Sequence, residues 1–170
     1  HGESTCEDGF YTAGQDETDD VVAAISWLKD KGVKSSNIGL YGSSLGGLVA
    51  LMTPAKSDDF GSIAVIDPPV DFKTLVREEM AYQGLPTFLW EPIYHYAGIF
   101  KGVNMLKDIP EEALAKGNKQ PLLIFTGLLS ERVQPHHSDD LVNIAIQNNI
   151  QYDIHKYTDM NLSLIHISEP

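Results

Sequence analysis

The apolar residues of this chain follow two kinds of spacing. Helical spacing places Val21, Ile25 and Leu28 on one stripe of 16–31, with acidic residues in its first turn and Gly32 just beyond its end. Similar patterns predict further helices over 45–52, 72–82 and 138–149, the last one capped by Ser138. Short runs rich in apolar residues predict strands over 38–41, 62–66, 121–126 and 152–157.

The order of these elements predicts the fold class. Strands that alternate with helices form βαβ units, and strongly apolar strands are typical of a parallel sheet that is covered on both faces. We therefore expect an α/β fold with a mostly parallel sheet and helices on both faces. Residues 70–120 read as a partly helical excursion rich in aromatic residues and prolines, and 170 residues suit a single domain.

Charge and composition exclude several classes of partner. Twelve Lys and Arg residues against 24 Asp and Glu residues give a net charge of -12, which repels nucleic acid and anionic membranes. The chain has no apolar run of the roughly 20 residues that a membrane span needs. The single cysteine, Cys6, is compatible with a reducing compartment, so a cytoplasmic location is slightly favoured while the compartment and the oligomeric state stay open.

The stretch NIGLYGSSLGG, residues 37–47, carries the candidate chemistry. A predicted strand runs through Gly-x-Ser-x-Gly directly into a predicted helix, with Ser44 at the centre of the pattern. Such a turn exposes the serine hydroxyl and aims the next amide, that of Leu45, at a developing oxyanion. Ser43 is excluded because only Ser44 lies centrally between Gly42 and Gly46. A glycine-rich turn that packs closely for structural reasons alone is the competing interpretation.

These residues carry a family resemblance. The run from HGES through DETDDVVAAISWLKDKG to IGLYGSSLGG resembles the α/β-hydrolase superfamily, near its serine aminopeptidase and esterase groups. The segments QPLLIFTGLLSERV and QYDIHKYTDMN also resemble the prolyl oligopeptidases of the dipeptidyl peptidase branch. The resemblance implies that 1–161 is a partial α/β-hydrolase domain that lacks the N-terminal strands, with a lid-like excursion over about 70–120.

The acid of the expected catalytic triad departs from the family pattern. The resemblance to His-Gly-x-x-Asp-x-x-Val places Ser130 where the aspartate belongs, and a hydroxyl cannot hold an imidazole as a carboxylate does. Glu131 is the first substitute, because it is adjacent. Asp67 and Asp71 follow the predicted strand 62–66, where some lipases of this superfamily carry the acid, and Asp71 ranks second. Surface carboxylates of an acidic protein are the competing interpretation.

The base is also missing from its expected position. The resemblance of YTDMNL to Tyr-Thr-Asp-x-x-His places the base at Leu162. The segment LSLIHISEP, 162–170, resembles a translated sequencing adapter, so we expect a non-native tail in which His166 is not catalytic. His136 and His137 are expected at the surface without metal-ligand spacing, and His155 in a strand. His95 is expected to pack among aromatics, and His1 to have a structural role in its loop.

The resemblance therefore implies a serine hydrolase that acts on an ester or amide carbonyl through an acyl-enzyme at Ser44. The chain itself is expected to be inactive or nearly so. The resemblance places the family's lid at the aromatic, apolar segment 85–100, which favours a hydrophobic acyl group or a small aromatic ester as substrate. The resemblance to the peptidase branches makes a peptide the alternative. A second alternative is a non-catalytic member of the fold that binds a partner. No cofactor is expected, because no dinucleotide fingerprint, phosphate loop or metal cluster stands out in the sequence.

Overall fold

The computed structural model describes residues 12–101, 109–117 and 119–159. Four strands form one sheet in the order β1-β2-β3-β4, and every neighbouring pair is parallel. The strands are β1 Gly39–Ser43, β2 Ser62–Ile66, β3 Leu122–Gly127 and β4 Tyr152–Tyr157. The predicted α/β fold with a parallel sheet is confirmed.

Within the described ranges, six α-helices connect and flank the strands. They are α1 Glu17–Asp30, α2 Leu45–Met52, α3 Phe72–Tyr82, α4 Trp90–Lys101, α5 Pro110–Lys116 and α6 His136–Gln147. The bounds of α2 and α3 coincide with the predicted ranges, because Pro54 ends the first pattern and a capping aspartate begins the second. The excursion after β2 contains α3, α4 and α5. No helix within the described ranges has both the length and the apolarity that a membrane span requires.

The core lies on one face of the sheet. Side chains of one parity on the central strands are almost fully buried: Ile63, Val65, Leu122 and Ile124 are at most 3% exposed. They form one cluster with residues of α1, α2, α5 and α6, among them Ile25, Leu51, Leu114 and Leu141. Side chains of the other parity are only half-buried, namely Ala64, Ile66, Leu123 and Phe125.

In the part of the chain that the structure describes, the four helices of the core cluster meet side chains of a single parity. On the other face Phe125 stacks on His155, with ring centroids 5.2 Å apart.

The start of α6 also differs from its prediction. The helix begins at His136 behind Pro135, which offers no side-chain cap, and Ser138 lies inside the first turn at 1% exposure. The predicted cap at Ser138 is therefore wrong. The sequence pattern misled because a buried serine in the first turn and a capping serine just before it look the same in a one-dimensional reading.

Candidate functional site

Ser44 occupies the turn between β1 and α2. Its backbone has φ 50° and ψ -122°, a region that residues with a side chain rarely adopt. The amide of Ser44 donates to the carbonyl oxygen of Ile66 at 2.9 Å, which ties the turn to the end of β2. Ser44 is exposed and its hydroxyl makes no capping hydrogen bond to α2. The turn thus presents the hydroxyl to solvent at the carboxyl ends of the strands.

Gly42 makes this turn possible. A Cβ atom at position 42 would lie 2.2 Å from the carbonyl oxygen of Gly46 and 2.6 Å from the amide nitrogen of Gly47. Both contacts are with backbone atoms, so the first turn of α2 could not stay where it is. At Gly47 a Cβ atom would lie 3.1 Å from Cβ of Pro68, which follows β2. These two glycines hold strand, helix and the end of β2 close together.

Leu45 is the first helical residue after Ser44. The amide groups of a first helical turn have no partner within the helix, and the helix dipole adds partial positive charge there. The amide of Leu45 is therefore of the kind that stabilises an oxyanion, as the sequence predicts. Its catalytic use stays a prediction.

A cavity of about 460 Å³ opens beside Ser44. Ser43, Ser44 and Leu45 line one part of it, together with Asp67 at the end of β2. The rest of the wall comes from α3 and neighbouring loops. Its apolar members are Phe72, Leu75, Val76, Met80, Leu85 and Val133, and its polar members are Glu79, Gln83 and Arg132. A second cavity, about 590 Å³, lies between α1, β1 and α2 and is not lined by Ser44.

Glu79 and Arg132 form a charged pair in the cavity wall. Nη2 of Arg132 donates to Oε1 of Glu79 at 2.9 Å, and its Nε donates to Oε2 at 3.3 Å. Gln83 donates to the same carboxylate at 2.7 Å. The hydrogen bond from Arg132 is the main reason that the pKa of Glu79 is lowered. No sequence pattern indicates this pair, because 53 residues separate its members and neither belongs to a motif.

Asp67 is the buried carboxylate of the site. It is 3% exposed and has φ 41°, in the left-handed region. Its Oδ2 accepts from the Ser130 hydroxyl at 2.5 Å, and its Oδ1 accepts from the amide of Gly127 at 3.0 Å. The sequence places Asp67 after the strand but ranks Glu131 and Asp71 above it. The sequence signal for Asp67 is an acidic residue at the very end of a buried strand, followed by two prolines.

The two carboxylates that were selected lie elsewhere in the structure. Glu131 is exposed in the turn after β3. Asp71 is exposed as well and caps α3, where its side chain accepts from the amide of Lys73 at 3.0 Å and from the Thr74 hydroxyl at 2.5 Å. Neither residue lines the cavity that holds Ser44.

His136 and His137 contact Glu78 of α3. Nε2 of His136 lies 2.6 Å from one Glu78 oxygen, and Nε2 of His137 lies 3.2 Å from the other. His136 is partly exposed, but His137 is fully buried, so the predicted surface position is wrong for His137. The reason is a buried polar network: Nδ1 of His137 accepts from the amide of Val70 at 3.4 Å.

The pKa values of the two histidines shift in opposite directions. Burial lowers the pKa of His137, and the neighbouring charge of His136 lowers it further. Burial also disfavours protonation of His136, but hydrogen bonds to Glu78 and Asp140 outweigh it and raise the pKa of His136. At neutral pH His137 is therefore neutral.

The same three side chains have the composition of a metal site, because Glu78, His136 and His137 each offer a ligand atom within 4.8 Å of the others. The hydrogen bonds of His137 disfavour this use. Its Nδ1 must keep a lone pair for the amide of Val70, so Nε2 carries the proton of the neutral ring and donates it to Glu78. A metal bound to Nε2 would use the lone pair of that nitrogen, so the proton of the neutral ring would have to move to Nδ1. The buried amide of Val70 would then face an N–H group and lose its acceptor.

None of the histidines that the structure describes lines the cavity beside Ser44. His95 is exposed on α4, with its ring 5.4 Å from that of Tyr94, and His155 lies within β4 as predicted. Position 162, where the base is expected, lies outside the described residues, as do His1 and His166. The site therefore has an exposed serine and a buried carboxylate, while the base stays a prediction.

Comparison with known proteins gives concordant results. Residues 1–163 match the prolyl oligopeptidase family. Inactive dipeptidyl peptidase 10 of Mus musculus is 28% identical over 150 residues, and the Rattus norvegicus protein of that name is 24% identical over 149 residues. Either match covers 86% of this chain, which spans only 17% of the length of these curated relatives.

Solved structures share the fold. A puromycin-hydrolyzing peptidase of Mycobacterium tuberculosis superposes with a TM-score of 0.66 at 19% identity, over 86% of this chain and 22% of that one. Dipeptidyl peptidase 4 of Porphyromonas gingivalis gives 0.64 at 22% identity, over 89% of this chain and 20% of that one.

The predicted membership of the α/β-hydrolase superfamily is confirmed. The resemblance to prolyl oligopeptidases, which the sequence analysis attached to the last two strands, covers almost the whole chain. A peptidase is accordingly favoured over a carboxylesterase. With its nucleophile-type elbow and its four parallel strands, the chain belongs to the prolyl oligopeptidase family as a serine-peptidase-like α/β-hydrolase domain.

Proposed function

We propose that this domain, with a histidine at position 162 in place of Leu162, cleaves amide bonds of peptides through an acyl-enzyme at Ser44, and that the chain with Leu162 is inactive or nearly so. The observation that carries the proposal is the strained turn at Ser44, which presents its hydroxyl beside a cavity of about 460 Å³. Strained backbone concentrates at functional sites, because the surrounding structure must hold it in place. Close contacts from Gly42 and Gly47 supply that constraint here.

The chemistry follows from the position of each group. The Ser44 oxygen attacks the carbonyl carbon and gives its proton to the imidazole expected at position 162. The negative charge that forms on the carbonyl oxygen is stabilised by the amide of Leu45. The C–N bond then breaks and the amine leaves with the proton from the imidazole. Water, deprotonated by the same imidazole, hydrolyses the ester and returns the serine.

The cavity wall supports a peptide substrate with an apolar side chain near the scissile bond. Phe72, Leu75 and Val76 offer apolar contacts, while Gln83 and the Glu79–Arg132 pair supply polar groups. Such a combination can bind a side chain and orient the backbone amides of a peptide. Family membership favours this substrate over the small ester that the aromatic segment suggested.

A binding function without catalysis is the second candidate. Ser130 stands where the family pattern has the aspartate, and Leu162 where it has the base. The curated relatives also carry the word inactive in their names. A domain that retains the fold and loses the reaction would keep the cavity for a partner.

Labelling with a fluorophosphonate probe separates the two candidates. We expect the unsubstituted chain to react slowly, because a missing base leaves only the small residual rate of the remaining groups. Leu162→His should accelerate the modification of Ser44 at least about 100-fold, since a single base supplies factors of this size.

Two serine variants provide the matched controls for this experiment. In the Leu162→His background, Ser44→Ala should abolish labelling, while Ser43→Ala, one residue away, should retain it. A folded Leu162→His chain that reacts no faster than the unsubstituted chain would favour the binding function.

A further inference from the structure

The wall of the cavity beside Ser44 contains charges of both signs. Among the residues that line it, Asp67 and Glu79 are acidic, Arg132 is basic, and the others are apolar or uncharged. Two carboxylates therefore stand against one guanidinium, and the net charge of the chain, -12, has the same sign as the excess. An anionic ligand meets an unfavourable potential in this cavity, and Arg132 is the cation of the lining that can offset it.

Glu79 already binds Arg132 in the geometry that suits a carboxylate. Nη2 and Nε of Arg132 donate to the two carboxylate oxygens of Glu79, so the guanidinium and the carboxylate meet side by side. Arginine recognises carboxylates through paired N–H groups of this kind. The carboxylate of a ligand must either take these N–H groups from Glu79 or accept from the others, on a guanidinium whose charge Glu79 neutralises.

A third side chain holds Glu79 in this position. Gln83, one turn further along at the end of α3, donates from Nε2 to Oε1 of Glu79 at 2.7 Å. The side chain of Glu79 is 27% exposed, against 62% for Arg132. The hydrogen bonds from Arg132 and Gln83 lower the pKa of Glu79, so this carboxylate is ionised at neutral pH. Glu79 is therefore the better fixed member of the pair.

We propose that Glu79 is a specificity-determining residue of the cavity, because it keeps Arg132 from binding the carboxylates of ligands. Peptides with an uncharged side chain in the cavity bind without disturbing the pair. A peptide with an acidic side chain there has to displace Glu79 from Arg132, or to bring a third carboxylate close to Asp67 and Glu79, and is excluded. This inference rests on the proposed function, because it takes peptides as the ligands.

A purely structural role of the pair is the alternative. Glu79 belongs to α3 and Arg132 to the segment between β3 and α6, so their contact also ties these two parts of the chain together. A structural role predicts that a substitution weakens the binding of all ligands by the same factor. A role in specificity predicts that the substitution changes which ligand binds more tightly.

The test compares ligands that differ in one charge. Acetyl-Ala-Gln-amide and acetyl-Ala-Glu-amide have side chains of nearly equal size. Their dissociation constants are measured by NMR titration, on the backbone amide signals of Leu45 and Val133, which line the cavity. We expect the unsubstituted chain to prefer the glutamine probe. In Glu79→Gln the affinity for the glutamate probe, relative to the glutamine probe, should rise at least about 10-fold, the size expected of a charge-assisted hydrogen bond.

Glu91→Gln is the matched control for this substitution. Glu91 is also a carboxylate that contacts an arginine, since its Oε1 lies 3.4 Å from Nη2 of Arg77, but it does not line the cavity. The control removes the same unit of charge and should leave the probe preference unchanged. A folded Glu79→Gln chain with an unchanged preference, or without binding of the glutamate probe, overturns the inference. An equal change in Glu91→Gln overturns it as well.

Arg132→Gln tests the pair from the other side and protects against a folding failure of Glu79→Gln. Glu79 then lacks its cation, and the lining holds two carboxylates without a guanidinium. Acetyl-Ala-Lys-amide should bind to this variant at least about 10-fold more tightly than to the unsubstituted chain, because its ammonium group replaces the missing partner of Glu79. An unchanged affinity for the lysine probe in folded Arg132→Gln overturns the inference.

These dissociation constants do not depend on a reaction at Ser44. If fluorophosphonate labelling of Ser44 fails while both variants change the probe preferences as expected, the proposed function fails and the inference about Glu79 stands. If labelling succeeds and the preferences do not change, the proposed function stands and the inference fails.

Discussion

Two glycines of the turn at Ser44 differ in whether the structure leaves room for a side chain. A Cβ atom at Gly42 would overlap the backbone of Gly46, while a Cβ atom at Gly46 would meet nothing within 4 Å. Gly42→Ala should therefore lower the free energy of unfolding by more than about 3 kcal/mol, because the clash involves backbone that cannot move aside. Gly46→Ala should be neutral or stabilise by up to about 1 kcal/mol, since it lies in α2.

Urea unfolding of both variants provides the measurement. The comparison is matched, because each variant adds one methyl group to the same turn. Equal midpoints for the two would contradict the close approach of Gly42 to the start of α2. Ser44 reactivity is not needed for this measurement, so it applies to the chain with or without a base.

The turn at Ser44 could be predicted from the sequence, whereas the buried position of Asp67 could not, and the reason is physical. The turn at Ser44 is local: strand, glycines and helix lie within about a dozen consecutive residues, so the pattern contains the geometry. Asp67 and Ser130 are 63 residues apart, and only the pairing of β2 with β3 brings them together. The sequence favours Glu131 first and Asp71 second, because the burial that distinguishes Asp67 from these two exposed carboxylates is not visible in it.

The contact between α3 and α6 makes the stability of the fold depend on pH. Glu78 of α3 contacts both histidines at the start of α6. The pKa of buried His137 is lowered, so the unfolded chain takes up a proton below about pH 6.5 that the folded chain refuses. The stability from neutral His137 is therefore present above that pH and is lost as the pH falls.

His136 acts in the opposite direction, because its pKa is raised in the folded chain. Its contribution is fully present below about pH 6.5 and is lost as the pH rises through the folded value. The unfolding free energies of His136→Gln and His137→Gln, measured between pH 5 and 8, should therefore change with pH in different ways. The change should centre on about pH 6.5, the ordinary pKa of a histidine. Relative to His137→Gln the unsubstituted chain should lose stability on acidification, and relative to His136→Gln it should gain.

This measurement compares slopes, so a constant cost of either substitution does not affect it. Parallel pH profiles for the two variants are the outcome that would show the histidines to be equivalent surface groups. The sequence suggested such equivalence, because a predicted helix that begins at Ser138 leaves both histidines in the preceding turn. In α6 adjacent side chains point about 100° apart, and only that of His137 is fully buried. Element existence was predicted well here, whereas the burial of α6 and its start were not.

At the scale of the whole molecule, we expect copies of the chain to associate mainly through the unpaired edge of β1. Among the described strands β1 pairs only with β2, and Tyr41 in its middle is 69% exposed. The apolar cavity between α1, β1 and α2 lies along the same edge. Unpaired edge strands favour pairing between molecules, while the net charge of -12 opposes it through repulsion.

Tyr41→Lys should weaken self-association of the chain, because a lysine on an edge strand disfavours strand pairing. Sedimentation velocity over a range of protein concentrations measures this. Association should increase in about 1 M salt, where screening over about 3 Å removes the long-range repulsion between acidic molecules. Trp27→Lys is the matched control, since Trp27 is 60% exposed on α1 and does not line the cavity between α1, β1 and α2. If both variants weaken association equally, general surface hydrophobicity and not strand pairing drives it, and the open edge of β1 is not the contact.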